Sequence, residues 1–192
     1  MSRPEDGEKV RLVPRFVRQE TVNIRGKSTC YATSIVNAAI SLGAITLADA
    51  QEQHTTIVDD LIAVPDLWNG SLQRIQTLDP RIAEIIEKHL PVRVGFDSEI
   101  GRLMTVGRSF GQIWNDVVSK NAAYVITVPQ AIHAYAVTKA GLWEGEDALV
   151  YVDPLDPYTT HIGTKQWFNK VFHPDNRGEV VTTPVRERVR VR

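Results

Sequence analysis

Two chemical signatures meet in residues 25–39, RGKSTCYATSIVNAA. The first half contains GKST at residues 26–29, which matches the end of a phosphate-binding loop, G-x-x-x-x-G-K-[ST]. That loop needs an earlier glycine that turns backbone N–H groups onto the phosphates, and this chain has Thr21 at the corresponding position. The match is therefore a coincidence, and we interpret residues 27–29 as a turn and a helix cap.

The second half places Cys30, the only cysteine, in the first turn of a predicted helix that runs from Thr29 to Leu42 and stops at Gly43. At a helix start, backbone N–H groups and the positive end of the helix dipole lower the pKa of a thiol and favour its nucleophilic thiolate. A lone cysteine is also often buried and inert. Cys30 is therefore a candidate nucleophile whose role depends on its surroundings.

The rest of the chain separates into a helical part and a later, strand-rich part. Capping residues and apolar spacing predict three further helices, and short β-rich runs between turns predict three strands. The helices are 46–62 with Thr46 as N-cap, 79–90 opened by Asp79-Pro80, and 109–120, and the strands are 122–128, 134–138 and 148–152. Helices followed by strands predict an α+β domain with an antiparallel sheet.

Two polar residues stand at the ends of predicted strands. His133 comes at the start of one strand and Asp153 at the end of another. Adjacent strands would bring their side chains together. A histidine that deprotonates a thiol needs a third group to hold its tautomer and orientation, and a carboxylate on a neighbouring strand serves that purpose. Cys30, His133 and Asp153 are therefore candidates for nucleophile, base and orienting acid.

Three motifs together resemble those of papain-like cysteine peptidases, and most closely the bacteriocin-processing, double-glycine leader peptidase type. They are STCYATS at 28–34 leading a helix, IHAYAV at 132–137 and VYVDP at 150–154 as strands. The resemblance extends over about residues 19–167. It implies a papain-like fold with the nucleophile at a helix start, and hydrolysis of peptide or amide bonds by a Cys30-His133-Asp153 triad. Tyr31 stands where these peptidases often carry glycine or tryptophan.

Such a mechanism also needs an oxyanion hole with two hydrogen-bond donors. The backbone N–H of Cys30 can supply one of them from the helix start. The second donor is usually a side-chain amide. Gln19 is farther from Cys30 along the chain than Asn23 is, but its side chain is longer. We therefore favour Gln19 as a fourth catalytic residue.

Two other functions remain compatible with these residues. A transglutaminase or other acyltransferase uses the same three residue types in the same order, and differs in that an amine rather than water attacks the thioester. A catalytically silent binding module would instead hold Cys30 as part of its core. Conjugation of an added primary amine to the product would indicate an acyltransferase. Labelling of Cys30 by a mild alkylating agent would argue against a silent binding module, because an inert buried thiol does not react.

The composition limits the partners of the chain. Its 192 residues are 43% hydrophobic and carry a net charge of −1, so no overall field favours nucleic acid or an anionic membrane. No apolar run approaches the ~20 residues of a membrane span, and the N-terminus lacks the apolar run of a signal peptide. A single cysteine suits a reducing compartment, so we expect a cytoplasmic enzyme acting on a peptide or protein.

The sequence also predicts the boundaries of the domain. We expect a disordered tail over 1–10, a peptidase domain over 11–184 and a basic tail over 185–192, where arginine alternates with other residues. The histidines show no ligand spacing and there is one cysteine, so we expect no metal site and no cofactor. The pattern does not indicate an oligomeric state.

Overall fold

The structure is a computed structural model that describes residues 10–11, 16–18, 27–69, 74–75, 79–95, 109–128, 133–172 and 181–188. Within these ranges it has five helices and nine strands. The helices are α1 (Cys30–Ser41), α2 (Leu47–Ala63), α3 (Pro80–His89), α4 (Phe110–Lys120) and α5 (Lys165–Phe172). The strands are β1 (Val10–Arg11), β2 (Trp68–Asn69), β3 (Arg74–Ile75), β4 (Val92–Val94), β5 (Ala122–Val128), β6 (His133–Trp143), β7 (Glu146–Asp153), β8 (Asp156–Thr164) and β9 (Val181–Glu187). The predicted α+β class is confirmed.

Side chains cap the starts of α2, α3 and α4, whereas the side chain of Thr29, which precedes α1, makes no capping hydrogen bond. The side chains of Thr46, Asp79 and Ser109 each accept a backbone hydrogen bond in the first turn of α2, α3 and α4. At the end of α1, Gly43 adopts a φ of 72°, and its N–H donates to the carbonyl oxygen of Ile40. These four helices are confirmed to within one residue at each end.

The main sheet is antiparallel throughout the described residues. Its strand order is β1-β8-β7-β6-β5-β9-β4, and β2 and β3 pair separately. The three predicted strands correspond to β5, β6 and β7, and the last two are longer than predicted. They form a hairpin in which Glu144 and Gly145 both have positive φ, 50° and 83°, the geometry that suits a tight two-residue turn.

Helices cover both faces of the sheet at its centre. Ala123 and Val125 of β5 belong to a core with α1, α2 and α3, whereas Tyr124 and Ile126 belong to a second core with α4 and α5. Because side chains alternate across a strand, neighbouring residues of β5 contribute to opposite cores. The sheet is therefore held rigidly where β5 and β6 pass beneath the start of α1.

The predicted tails lie only partly within the described residues. Val10 and Arg11 form β1, which pairs with β8, and residues 1–9 lie outside the described ranges. The predicted basic tail starts within β9, where Val185 is buried between β5 and β4, and residues 189–192 lie outside. Among the helices of the described ranges, none has both the length and the hydropathy to cross a bilayer.

Candidate active site

Cys30 is the first residue of α1, and the packing of that helix against β5 and β6 fixes its position. The cysteine is buried, with 7% of its surface exposed. One turn further along, the Oγ of Ser34 donates to the carbonyl oxygen of Ala134 across 3.1 Å. This bond holds the N-terminal turn of α1 against the start of β6, where His133 lies.

Two segments that precede Cys30 in the sequence are held by contacts to other elements. The N–H of Val17 donates to Oδ1 of Asn37 across 2.7 Å, and Nδ2 of Asn37 donates to the carbonyl oxygen of Val17 across 3.0 Å. The Nζ of Lys27 lies 5.0 Å from the ring centroid of Trp68, a cation–π contact. Segments that precede Cys30 are therefore attached both to α1 and to β2.

His133 and Asp153 meet at one end of the β6–β7 hairpin. Ala136 pairs with Val152 in the sheet, so the first residue of β6 lies near the last residue of β7. The Nε2 atom of His133 is 2.7 Å from Oδ1 of Asp153. The N–H of Leu155 also donates to Oδ1 of Asp153, across 2.8 Å, which fixes the carboxylate in the turn after β7.

The imidazole of His133 also hydrogen-bonds the thiol of Cys30. Because Nε2 of the ring is engaged by Asp153, Nδ1 is the nitrogen left for the sulfur. The three residues thus form one continuous line from carboxylate to imidazole to thiol. This arrangement suits the transfer of a proton from the thiol to the imidazole.

The surroundings of Cys30 favour its thiolate. Burial alone would raise the pKa of the thiol, but hydrogen bonds from His133 and Ser28, the charge of His133 and the backbone N–H of Ala134 together lower it below its ordinary value. The start of a helix acts in the same direction, because its backbone N–H groups favour negative charge. The sulfur therefore lies where a nucleophilic thiolate is stabilised.

The pKa of His133 moves in the opposite direction. Burial would lower it, but the hydrogen bonds to Asp153 and Cys30 and the charges of both partners raise the pKa of His133 to about 9. Burial would likewise raise the pKa of Asp153, but the hydrogen bonds from His133 and Leu155 and the charges of His133 and His161 hold it below its ordinary value. At neutral pH the site accordingly holds an imidazolium and a carboxylate, and the thiol of Cys30 is shifted toward its thiolate form.

A column of aromatic rings extends from His133 across the sheet. Tyr135 and His133 meet edge to face with ring centroids 4.8 Å apart, and Tyr135 and Tyr151 meet edge to face at 5.5 Å. Tyr151 stacks on Trp167 at 4.5 Å and on His161 at 5.0 Å. Edge-to-face and stacked pairs are worth about 0.5–1.5 kcal/mol each beyond burial. Tyr135, the first ring of the column, thus packs against the imidazole of His133.

Some of the predicted site residues lie together and others lie outside the described ranges. His133 contacts both Cys30 and Asp153. Gln19 and Asn23 fall outside the ranges that the structure describes. Ser28, which the sequence pattern indicated only as part of a turn, has its Oγ 3.4 Å from Sγ of Cys30. Its position two residues before the nucleophile was the one available signal.

Tyr31, directly after Cys30, connects the start of α1 to the sheet. Its side chain is fully buried, and its hydroxyl lies 2.7 Å from Oγ1 of Thr183 on β9. Burial raises the pKa of Tyr31. A large side chain directly after Cys30 thus ties the start of α1 to the sheet on the side of β9.

No protein-family model matches the chain, and no curated protein matches it either. Among the described residues, no group of three or more His, Cys, Asp or Glu side chains is placed to hold a metal ion. What this site can do is inferred from its own geometry and charge.

Proposed function

We propose that the chain is a cysteine peptidase of the papain-like type, which hydrolyses peptide or related amide bonds through a thioester. The observation that supports this most strongly is that His133 hydrogen-bonds Cys30 and also lies 2.7 Å from Asp153. A buried thiol with a lowered pKa beside an imidazole with a raised one is typical of nucleophilic catalytic sites.

In the first half of the proposed reaction, the thiolate of Cys30 attacks the carbonyl carbon of the substrate. The carbonyl electron pair moves onto oxygen, where donors at the start of α1 stabilise the charge. As that pair returns, the bond to the leaving nitrogen breaks, and the nitrogen takes the proton held by His133. A thioester on Cys30 and a neutral imidazole remain.

In the second half, the neutral His133 removes a proton from water, and the resulting hydroxide attacks the thioester carbon. The C–S bond breaks and returns the thiolate, and His133 is again an imidazolium. Asp153 keeps the ring oriented in both halves and stabilises its positive charge. Asp153 therefore serves as a positioning residue, since it acts on the substrate only through His133.

The acyltransferase alternative shares the first half of this reaction. It differs in the second half, where an amine takes the place of water. If the chain is a peptidase, we therefore expect water to remain the acyl acceptor when a primary amine is added. Since a reduced Cys30 is required throughout, we also propose that the enzyme works in a reducing compartment such as the cytoplasm.

The experiment that tests this proposal compares wild type with Cys30→Ala on a pool of peptides. The pool includes peptides with a double-glycine junction, which the resemblance favours, and an unfolded protein as a general substrate. Cleavage is followed by mass spectrometry with and without added primary amine. We expect cleavage by wild type, products with free carboxyl ends, and no cleavage by Cys30→Ala.

Two results would contradict the proposal. Cleavage that survives in folded Cys30→Ala would exclude Cys30 as the nucleophile. Products conjugated to the amine in place of free carboxyl ends would assign the site to an acyltransferase. Ser41→Ala serves as the matched control for α1, because Oγ of Ser41 bonds only the carbonyl oxygen of Ala38 at the far end of that helix among the described contacts.

A further inference from the structure

The hydroxyl of Ser28 lies beside the proposed nucleophile. Its Oγ is 3.4 Å from Sγ of Cys30, and the side chain is half-buried, so part of it faces solvent. Ser28 precedes α1, whose first residue is Cys30. A group placed in this way can contact the sulfur and a substrate carbonyl bound to it.

The hydroxyl can change its acceptor without moving its oxygen. A serine O–H rotates freely about its C–O bond, so the proton can be directed to either of two neighbouring acceptors. When Cys30 is a thiolate, its sulfur is such an acceptor, because a thiolate carries no proton to donate. The contact between Ser28 and Cys30 is then a hydrogen bond from oxygen to sulfur.

We propose that Ser28 is a further catalytic residue, whose hydroxyl donates to the oxyanion formed when Cys30 attacks a carbonyl carbon. This inference rests on the proposed function. As the S–C bond forms, the carbonyl π electrons move to oxygen, and the negative charge leaves the sulfur. The charged oxygen is two bonds from the sulfur, so a donor that reaches Sγ needs only to rotate its proton toward it.

Ser28 transfers no proton in this step. It holds its proton throughout, and the leaving nitrogen receives its proton from His133. When the intermediate collapses, the electron pair returns from oxygen to carbon and the C–N bond breaks. The Ser28 hydroxyl therefore follows the negative charge from sulfur to oxygen, and adds a side-chain donor to the backbone N–H of Cys30.

Two reactions of Cys30 separate this role from simple stabilisation of the thiolate. Acylation by p-nitrophenyl acetate passes through an oxyanion and releases p-nitrophenolate. Alkylation by iodoacetamide displaces iodide at a saturated carbon, with no oxyanion. Neither probe requires knowledge of the peptide that the enzyme cleaves. The rates of both are measured on wild type, Ser28→Ala, Ser28→Thr, Ser28→Val and the control Ser41→Ala.

We expect Ser28→Ala to slow acylation by about 100-fold and to slow alkylation by less than about tenfold. Threonine and valine have the same shape but only threonine keeps the hydroxyl, so Ser28→Thr should acylate faster than Ser28→Val. This pair also isolates the hydroxyl if Ser28→Ala folds poorly. Ser41→Ala should react as wild type does in both assays.

The inference is overturned if Ser28→Ala and Ser28→Val lose no more in acylation than in alkylation, because Ser28 would then serve the thiolate alone. Cys30→Ala provides the separate check on the proposed function. Release of p-nitrophenolate by Cys30→Ala at the wild-type rate would remove the basis of both proposals. Release that requires Cys30 but not the Ser28 hydroxyl would exclude Ser28 and leave the proposed peptidase intact.

Discussion

The Nε2 atom of His133 lies 2.7 Å from Oδ1 of Asp153, and the same imidazole hydrogen-bonds the sulfur of Cys30. His133 is the first residue of β6 and Asp153 the last of β7, so the distance between them is set by a paired hairpin. Groups carried on paired strands vary less in position than groups on loops. The imidazole of His133 is therefore held in one orientation by the hairpin itself.

Asp153→Asn should reduce turnover less than His133→Ala does. The amide oxygen can still accept a hydrogen bond from His133, but the negative charge that helps raise the pKa of His133 is lost. We expect Asp153→Asn to lose about tenfold in rate, which corresponds to about 1.4 kcal/mol of activation free energy, whereas His133→Ala should remove nearly all turnover. The measurement is kcat/KM of both variants on one peptide. Equal loss in the two variants would mean that the charge of Asp153, rather than its hydrogen bond, maintains the site.

The pH dependence should differ between amide and ester substrates. The pKa of His133 is raised to about 9, so the imidazolium is present below about pH 9 and lost above it. An amide needs that proton on its leaving nitrogen, whereas p-nitrophenolate leaves without one. We expect kcat/KM for a peptide to fall above about pH 9 and kcat/KM for the ester to continue without that fall. A shared alkaline fall would indicate that His133 does not protonate the leaving group.

Gly163→Ala should disturb the aromatic column. A Cβ at Gly163 would overlap a ring carbon of Trp167, so the indole must shift, and its stack on Tyr151 is disturbed. Overpacking of this kind costs about 1–3 kcal/mol, and urea denaturation would measure it. Gly141→Ala in β6 is the matched control, because nothing lies within 4 Å of its added Cβ. A free energy of unfolding equal in both variants would mean that the column does not depend on close approach at Gly163.

Local signals predicted the first four helices, and non-local pairing explains what was missed. Thr46, Asp79 and Ser109 cap their helices through contacts within a few residues, which a sequence displays directly. β9 contains Pro184, a residue that argues against a strand, yet its carbonyl oxygen accepts from the N–H of Gly95 across 2.8 Å. That pairing joins distant parts of the chain, so no local pattern indicated it.

α5 and β8 were missed for a different reason. The strand DPYTTHIGT opens with Asp156-Pro157 and is largely polar, and α5 has only eight residues, so both resemble a loop in the sequence. β8 owes its pairing to β7, on which Tyr151 lies opposite His161. Tertiary contacts thus decide these two elements.

The candidate site could be predicted only in part. Cys30, His133 and Asp153 stand at the ends of elements whose order the sequence indicates, so their meeting follows from the hairpin. Ser28 carries no comparable signal, because whether a hydroxyl before a helix faces the sulfur depends on the path of the chain. The predicted oxyanion donor Gln19 lies outside the described residues and stays a prediction.

The most direct test of the central claim is the ultraviolet absorbance of the Cys30 thiolate as a function of pH. The spectrum of Cys30→Ser is subtracted at each pH, which isolates the signal because the chain has one cysteine. We predict a thiolate already present at neutral pH, with a midpoint well below the ~8.5 of a free thiol, and a midpoint that rises in His133→Ala. A wild-type midpoint at or above that of a free thiol would contradict the account.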